Sequence, residues 1–227
     1  MKNLLKAVVP LLFVLLIQSC TVSEPFNGRI MYSVKTVGLR GDVMATDSVV
    51  TFYNDSIYRQ VRNSQMGPQH FLGFTQENYG VLLLNLGGQN FSIRIDSLSD
   101  EATYRITQGK ERKNILGYKC RETLLYDLEG NLRMRVYNTK KMGPTIESPY
   151  DQLDGFPMQR VLFLPDGKEI MTAEKMDATA PDSTVFVLPE DAIPITFQEL
   201  MEMLGNEQSA VNSNLLMFPI SLYRNRG

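Results

Sequence analysis

The fold class is decided by the stretch Val81-Leu82-Leu83-Leu84-Asn85-Leu86-Gly87-Gly88-Gln89-Asn90-Phe91-Ser92-Ile93-Arg94-Ile95. Two apolar runs in it are split by Gly87-Gly88, and two strand-forming runs around such a pair predict a β-hairpin. Val81 to Leu84 does not alternate between apolar and polar residues, so we expect this strand to be buried on both faces. One face packs on a core, and the other either lines a cavity or is covered by a helix or loop.

The same hairpin pattern recurs on both sides of this stretch. Arg29 to Val37 carries Ile30, Tyr32 and Val34 at period two, which is typical of a strand. Further hairpins are predicted for Val49–Tyr53 with Ile57–Val61, Lys119–Tyr126 with Leu132–Tyr137, and Met158–Leu164 with Glu169–Met176. The chain is therefore predicted to be mainly β, with one large antiparallel sheet that is either curved or closed.

One amphipathic helix is predicted after the last hairpin. Thr196-Phe197-Gln198-Glu199 is a capping box, and Gly205 stands where a C-terminal cap is expected. Between them the apolar residues fall on one stripe, which must be buried: Phe197, Leu200, Met201 and Leu204. The helix is expected to lie across the sheet, either as a permanent part of the core or as a movable lid.

The N-terminal segment predicts export and lipid attachment. Lys2 and Lys6 precede an apolar run, Ala7 to Ile17, that is shorter than the roughly 20 residues needed to span a bilayer. The ending Ile17-Gln18-Ser19-Cys20 resembles a bacterial lipoprotein signal. We expect residues 1–19 to be a signal peptide, Cys20 to carry the acyl chains, and residues 20–25 to form a short tether. The alternative is an ordinary secretory signal that leaves Cys20 as a free thiol.

The remaining boundaries follow from composition. Residues 26–205 are predicted to form a single antiparallel β domain that ends in the capped helix. Residues 206–227 are predicted to be a polar loop and C-terminal tail, within which Leu215 to Leu222 is apolar enough to dock as a last strand.

Several chemistries lack the residues that they need. The formal net charge of −2 argues against nucleic acid as a partner. His70 is the single histidine and matches no nucleophile motif, and Cys120 is left as the single thiol once Cys20 is acylated. We expect no catalytic residues, no metal and no cofactor, with Cys120 buried as a small hydrophobe. A hydrolase that uses two carboxylates is the remaining enzymatic alternative.

The stretch Asn114-Ile115-Leu116-Gly117-Tyr118-Lys119-Cys120 resembles a motif of uncharacterised lipoproteins of Bacteroidetes-type bacteria. That domain-of-unknown-function family is related to the LolA/LolB-like lipoprotein carriers. Three further segments fit the resemblance: Phe26–Ile30, Gly155–Pro157 and Phe186–Glu190. The resemblance implies a half-open antiparallel barrel with one or a few helices on its concave face, and a cavity that holds acyl chains in the carriers.

The predicted function is therefore a lipid-anchored protein of the cell envelope, in the outer membrane and facing the periplasm, that binds an acyl chain or another apolar ligand in a β-cavity. Twelve methionines and no tryptophan favour an adaptable apolar site. The alternative is a structural or protein-interaction module with a solid core and an envelope protein as its partner. The candidate ligand-lining residues are Phe52, Leu82, Leu84, Phe197, Leu200, Met201 and Leu204.

Overall fold

A computed structural model describes residues 24–64, 67–98 and 104–203. The strands are β1 (Gly28–Gly38), β2 (Val43–Tyr53), β3 (Ile57–Ser64), β4 (Gly67–Phe74), β5 (Tyr79–Leu86), β6 (Gln89–Ile95), β7 (Arg105–Ile115), β8 (Tyr118–Tyr126), β9 (Leu132–Thr139), β10 (Phe156–Leu164), β11 (Gly167–Asp177) and β12 (Ile193–Pro194). The α-helix is α1 (Phe197–Met203), and short 3₁₀ turns cover Lys140–Met142, Tyr150–Gln152 and Ser183–Phe186.

All twelve strands of the described residues belong to one sheet, in the order β12-β6-β5-β4-β3-β2-β1-β11-β10-β9-β8-β7. Two meanders, β1 to β6 and β7 to β11, are joined by the antiparallel pairing of β1 with β11. The added strand β12 runs parallel to β6. The sheet is curved and unclosed, with β12 and β7 at its edges, so the predicted mainly β, half-open antiparallel architecture is confirmed.

The main core lies on the concave face, which we define as the face that carries Ile30, Tyr32, Val49 and Leu82. Alternation places these side chains there, since Tyr32 stands opposite Val49 in the β1–β2 register. Cys120 on β8 joins this cluster and is buried, as predicted. The four hairpins predicted from the sequence are all present.

Two segments cover the concave face. One is the loop of residues 143–155 between β9 and β10, which we call the interior segment; it buries Thr145, Glu147 and Leu153. The other is α1, whose Leu200 belongs to the main core. The predicted capping box is confirmed: the Glu199 carboxylate accepts from the Thr196 backbone N–H at 2.6 Å, and the Thr196 hydroxyl accepts from the Glu199 N–H at 3.1 Å.

The convex face of β4 and β5 is covered by residues 183–195, which we call the strap. Leu72, Val81 and Leu83 form a second buried cluster there, with Leu188 and Ala192 of the strap packed against it. Because Leu82 and Leu84 lie in the main core on the other face, β5 is buried on both sides, as its unbroken apolar run predicted.

The predicted signal peptide, Cys20, Leu204, Gly205 and the predicted C-terminal tail lie outside the described residues. Three strands, β4, β7 and the two-residue β12, were not predicted. β7 is an edge strand whose side chains are mostly exposed, so its sequence is polar without alternation. β4 begins with Gly67-Pro68 and carries Gly73, all residues that disfavour strands.

Candidate functional site

The structure places most of the candidate ligand-lining residues that it describes in or against the main core, and Phe52 away from it. Leu82, Leu84 and Leu200 pack together in the main core, and Leu200 has no exposed surface. Phe197 and Met201 are half-buried on α1. Phe52 is half-buried and points away from the concave face, because its neighbours Thr51 and Tyr53 point into it. Only Leu204 is left, and it lies outside the described residues.

A polar cluster fills the concave interior beside these residues. The carboxylate of Glu147, on the interior segment, forms an ion pair with Arg160 of β10 at 2.6 Å, and their side chains are 2% and 7% exposed. Glu147 also accepts hydrogen bonds from the Tyr53 hydroxyl and from Gln60 Nε2, the latter at 3.2 Å. Charges are buried only where they are paired, and this pair ties β2, β3 and β10 to the interior segment.

The tyrosines around this ion pair are held protonated. Burial raises the pKa of Tyr53 well above its usual range, and the Glu147 charge raises it further. Burial raises the pKa of Tyr150 to about 12. The Arg160 guanidinium lies 4.4 Å from the centre of the Tyr150 ring, a cation–π distance. Its Nε and Nη2 atoms have no hydrogen-bond partner within the described residues. The cluster is therefore a donor network that stabilises one buried carboxylate.

The strap leaves part of the convex face open. Within the described residues, three hydrogen-bonded contacts attach the strap to the sheet. Arg59 of β3 donates from Nη1 to the Val185 carbonyl at 2.6 Å, and the Ile195 N–H donates to the Ser92 carbonyl at 2.9 Å. Asn90 Nδ2 of β6 donates to the Asp191 carboxylate at 3.2 Å. Arg59 Nη2 also lies 2.9 Å from His70 Nδ1. Burial, and then the Arg59 charge, lower the pKa of His70, so the half-buried imidazole is held neutral beneath the strap.

Between these attachments lies a cleft of about 500 Å³, which we call the strap cleft. Four polar residues line it, Ser92, Arg94, Thr196 and Glu199. The remaining eight lining residues are apolar or aromatic: Tyr79, Val81, Leu83, Leu188, Pro189, Ala192, Pro194 and Ile195. An apolar cleft with a few polar groups at its edge is the usual form of a small-molecule site.

One wall of the strap cleft is an aromatic stack. The Tyr79 ring stacks on Phe74 with centroids 4.5 Å apart, and the Arg94 guanidinium lies 4.0 Å over the other side of Tyr79. The Arg94 side chain is 62% exposed and pairs with the exposed Asp96 at 3.0 Å. An exposed surface pair of this kind is weak, so the guanidinium is available to an anionic ligand group.

Sequence reasoning missed most of this cleft. Val81 was recognised as part of a strand buried on both faces, and a cavity on its second face was one of the two predicted alternatives. The strap residues gave no periodic signal, since Leu188-Pro189 and Ile193-Pro194 interrupt any repeat. Neither the strap cleft nor a second cleft beside β7, described below, is lined by any of the seven predicted residues.

Two crystal forms of PNGF-II share this fold, with TM-scores of 0.54 and 0.52 at 13% identity over 78% of this chain. This chain spans about a third of the length of PNGF-II, 32% and 33% in the two forms, and the likeness shows the fold alone. No protein-family model and no curated protein sequence matches the chain.

Two further structural matches are weaker. A DUF1329 family protein from Desulfovibrio piger ATCC 29098 matches at 13% identity and a TM-score of 0.34, over 77% of this chain and 93% of that one. An outer membrane lipoprotein-sorting protein domain from Vibrio parahaemolyticus matches at 7% identity and a TM-score of 0.21, over 70% and 88%. TM-scores this low carry no argument about function.

Two further properties concern the described residues only. No helix among residues 24–64, 67–98 and 104–203 has the length and apolar character to cross a bilayer. In the same part of the chain, no three His, Cys, Asp or Glu side chains lie together as a metal site would require.

Proposed function

We propose that this protein is a lipid-anchored, non-catalytic binding protein of the bacterial cell envelope, held at the outer membrane and facing the periplasm. Its ligand is an acyl chain, or a similar apolar molecule with one anionic end, bound in the strap cleft. The observation that supports this proposal is the open cleft of about 500 Å³ with apolar walls and an exposed arginine. The size lies within the range of about 300–1,000 Å³ that is typical of small-molecule sites.

The two ends of such a ligand have separate places in the cleft. Val81, Leu83 and Leu188 offer an apolar floor to the hydrocarbon. Arg94 stands at the rim, where its guanidinium can bind a carboxylate with two donors. On the concave face, Leu82, Leu84 and Leu200 are instead packed together in the main core.

A non-catalytic role is proposed because the carboxylates with a raised pKa lie apart from the strap cleft. Burial raises the pKa of Glu169, which pairs with Arg62 at 3.2 Å, and burial raises that of Asp151. Neither residue lines the cleft. The one carboxylate that does, Glu199, is engaged by Thr196 in the capping box, which lowers its pKa. No acid and base are therefore placed around a ligand in this cleft.

A titration with a fluorescent fatty-acid analogue tests this proposal. Ser92→Phe places a ring in the strap cleft from a strand position that tolerates aromatics. Ser48→Phe is the matched control, since Ser48 is exposed on β2. We expect Ser92→Phe to weaken binding at least roughly tenfold, which is about 1.4 kcal/mol, and Ser48→Phe to leave it unchanged. Equal binding by both variants, or no binding by the unchanged protein, would refute the proposal.

Arg94 is tested separately as the partner of the anionic end. Arg94→Gln should weaken the fatty-acid analogue roughly tenfold, because a hydrogen bond to a charged group contributes about 1.5–3 kcal/mol. It should not weaken the matching fatty alcohol. Arg29→Gln is the control, because Arg29 also forms an exposed ion pair, with Asp177. A similar loss of affinity for the acid and for the alcohol would show that Arg94 does not bind the anionic end of the ligand.

The anchor is tested on Cys20. Cys20→Ala should move the protein from the membrane to the soluble fraction and abolish labelling by a fatty-acid analogue fed to the cells. Unchanged fractionation and labelling would refute acylation at this residue.

A second candidate function, a protein-interaction module, is favoured by the β1–β2 turn. Leu39, Val43 and Met44 are exposed together at its tip. Exposed apolar side chains in a group often mark a protein contact. Leu39→Ser with Met44→Ser would reduce co-purification of an envelope protein if this function is correct, whereas the strap-cleft variants would not.

A further inference from the structure

A second cleft, of about 590 Å³, opens where β7, β8 and β9 meet the turn Lys140–Met142. Its lining holds one carboxylate, Asp154, and six basic side chains: Arg112, Lys113, Lys119, Arg121, Lys140 and Lys141. We call it the basic cleft. Its charge is opposite in sign to that of the whole chain, which is −2.

Most of these cations have no counter-charge of their own. Lys140 forms an ion pair with Asp154, and Lys113 donates to Gln159 Oε1 at 2.7 Å. The other four, Arg112, Lys119, Arg121 and Lys141, form no ion pair within the part of the chain that the structure describes. The cleft therefore attracts anions from solution.

The fold places two of these cations directly against each other. Arg112 of β7 stands opposite Arg121 of β8 in the register, and like charges in this position destabilise a sheet. The pairing follows an irregularity in β7 between Gln108 and Arg112. A Cβ at Gly109 would overlap the Glu122 carboxylate, which accepts from the Glu111 N–H at 3.1 Å. Bulges often redirect a side chain towards a site. An anion bound between Arg112 and Arg121 would relieve this repulsion.

The basic cleft lies at the end of the sheet where the described chain begins. The Phe26 ring packs edge-on against Phe156, with centroids 5.5 Å apart. Phe156 stands opposite Thr139 in the β9–β10 register, and Thr139 lines the cleft. Cys20 precedes Phe26 so closely that the intervening chain reaches at most about 20 Å when fully extended. An acyl group on Cys20 would thus hold this end of the domain near the membrane surface.

We propose that the basic cleft binds the phosphate groups of anionic phospholipids in the membrane that anchors the chain. This inference rests on the proposed anchor at Cys20. The basic cleft then acts as a second membrane contact. It orients the sheet so that the β7–β9 end meets the lipid headgroups. The strap cleft is thereby held at a fixed position relative to the membrane. Two weak contacts, one lipid and one electrostatic, together hold a protein far more firmly than either alone.

The test uses the full processed chain from residue 20, with Cys20→Ser so that no acyl group contributes. Sedimentation with phosphatidylcholine vesicles, with and without phosphatidylglycerol, measures the binding. The variant Arg112→Gln/Arg121→Gln is compared with Lys35→Gln/Lys175→Gln, which removes the same charge from exposed positions on β1 and β11. We expect binding that requires phosphatidylglycerol, is weakened roughly tenfold or more by the cleft variant, and is nearly unchanged by the control.

Three outcomes would overturn the inference. One is an equal loss of vesicle binding in the cleft variant and in the control variant, because the net charge alone would then explain binding. Another is binding to neutral vesicles at the same strength. The third is binding of inorganic pyrophosphate with no binding to either vesicle, since the site would then take a soluble phosphate. Lys119→Gln/Lys141→Gln repeats the test if the first variant does not fold. Because this chain lacks the acyl group, vesicle binding reports on the cleft alone, and fatty-acid labelling at Cys20 reports on the anchor alone.

Discussion

The two faces of this sheet are both apolar, yet they differ in how they are covered. The interior segment and α1 cover the concave face, where Leu200 and the Glu147–Arg160 ion pair are buried. The strap lies over the convex face of β5 and leaves a cleft of about 500 Å³. The difference shows that a two-sided apolar strand predicts burial on both faces, but only the covering segment decides which face keeps room for a ligand.

The largest effect is expected from breaking the ion pair in the concave interior. Arg160→Met leaves Glu147 buried without its partner, so we expect a loss of about 3–5 kcal/mol in the free energy of unfolding. Arg160→Met/Glu147→Leu should recover much of that loss, because neither charge is then buried. Urea denaturation measures both. Arg29→Met is the surface control, and its exposed pair with Asp177 should contribute under about 1 kcal/mol.

A smaller effect separates the packing of the two faces. Leu200→Ala should cost about 2–5 kcal/mol, as the truncation of a fully buried leucine does. Leu188→Ala on the half-buried strap should cost only about 1 kcal/mol. In the fatty-acid titration we expect the opposite order of effects: Leu188→Ala changes the affinity, and Leu200→Ala leaves the affinity unchanged. A movable lid would give the opposite pattern: a small stability loss for Leu200→Ala and an altered affinity.

The smallest effect concerns the strap and pH. His70 has a lowered pKa in the folded protein, so the unfolded chain takes up a proton first as the pH falls below about 6.5. The stability contributed by neutral His70 is therefore present above that pH and is lost on acidification. Protonation would also place two cations together at Arg59, which holds the strap through the Val185 carbonyl. The hydrogen-exchange protection factors of the strap should fall below pH 6.5, and His70→Gln should remove most of that fall.

Much of the fold was predictable from single elements. The hairpins followed from period two and turn residues, and α1 followed from the Thr196–Glu199 capping box. β7 was not predicted, because an exposed edge strand has no apolar face and its sequence therefore shows no alternation. One missed signal was present in the sequence: Arg160 lies at period two between Met158 and Leu162, which placed a charge on the buried face of a strand.

The two clefts were less predictable because neither comes from one stretch of sequence. The strap cleft needs β5, β6 and residues 183–196 together. The basic cleft is lined by Arg112, Lys119 and Lys141, which come from three separate segments, so no single basic run in the sequence predicted it. The sequence did predict that β5 has a second buried face. It had no pattern that said which segment covers that face or how completely.

If the proposed function is correct, an apolar ligand binds on the convex face and not in the concave interior. Photo-cross-linking with a diazirine-labelled fatty acid, followed by peptide mapping, tests it most directly. We expect the fatty acid to cross-link to the strap, around Leu188 to Ile195, and to Val81 and Leu83 on β5. Ser92→Phe should abolish them, while Ser48→Phe should not. Cross-links concentrated at Leu82, Leu84 and Leu200 would contradict this expectation and would show that the ligand binds on the concave face.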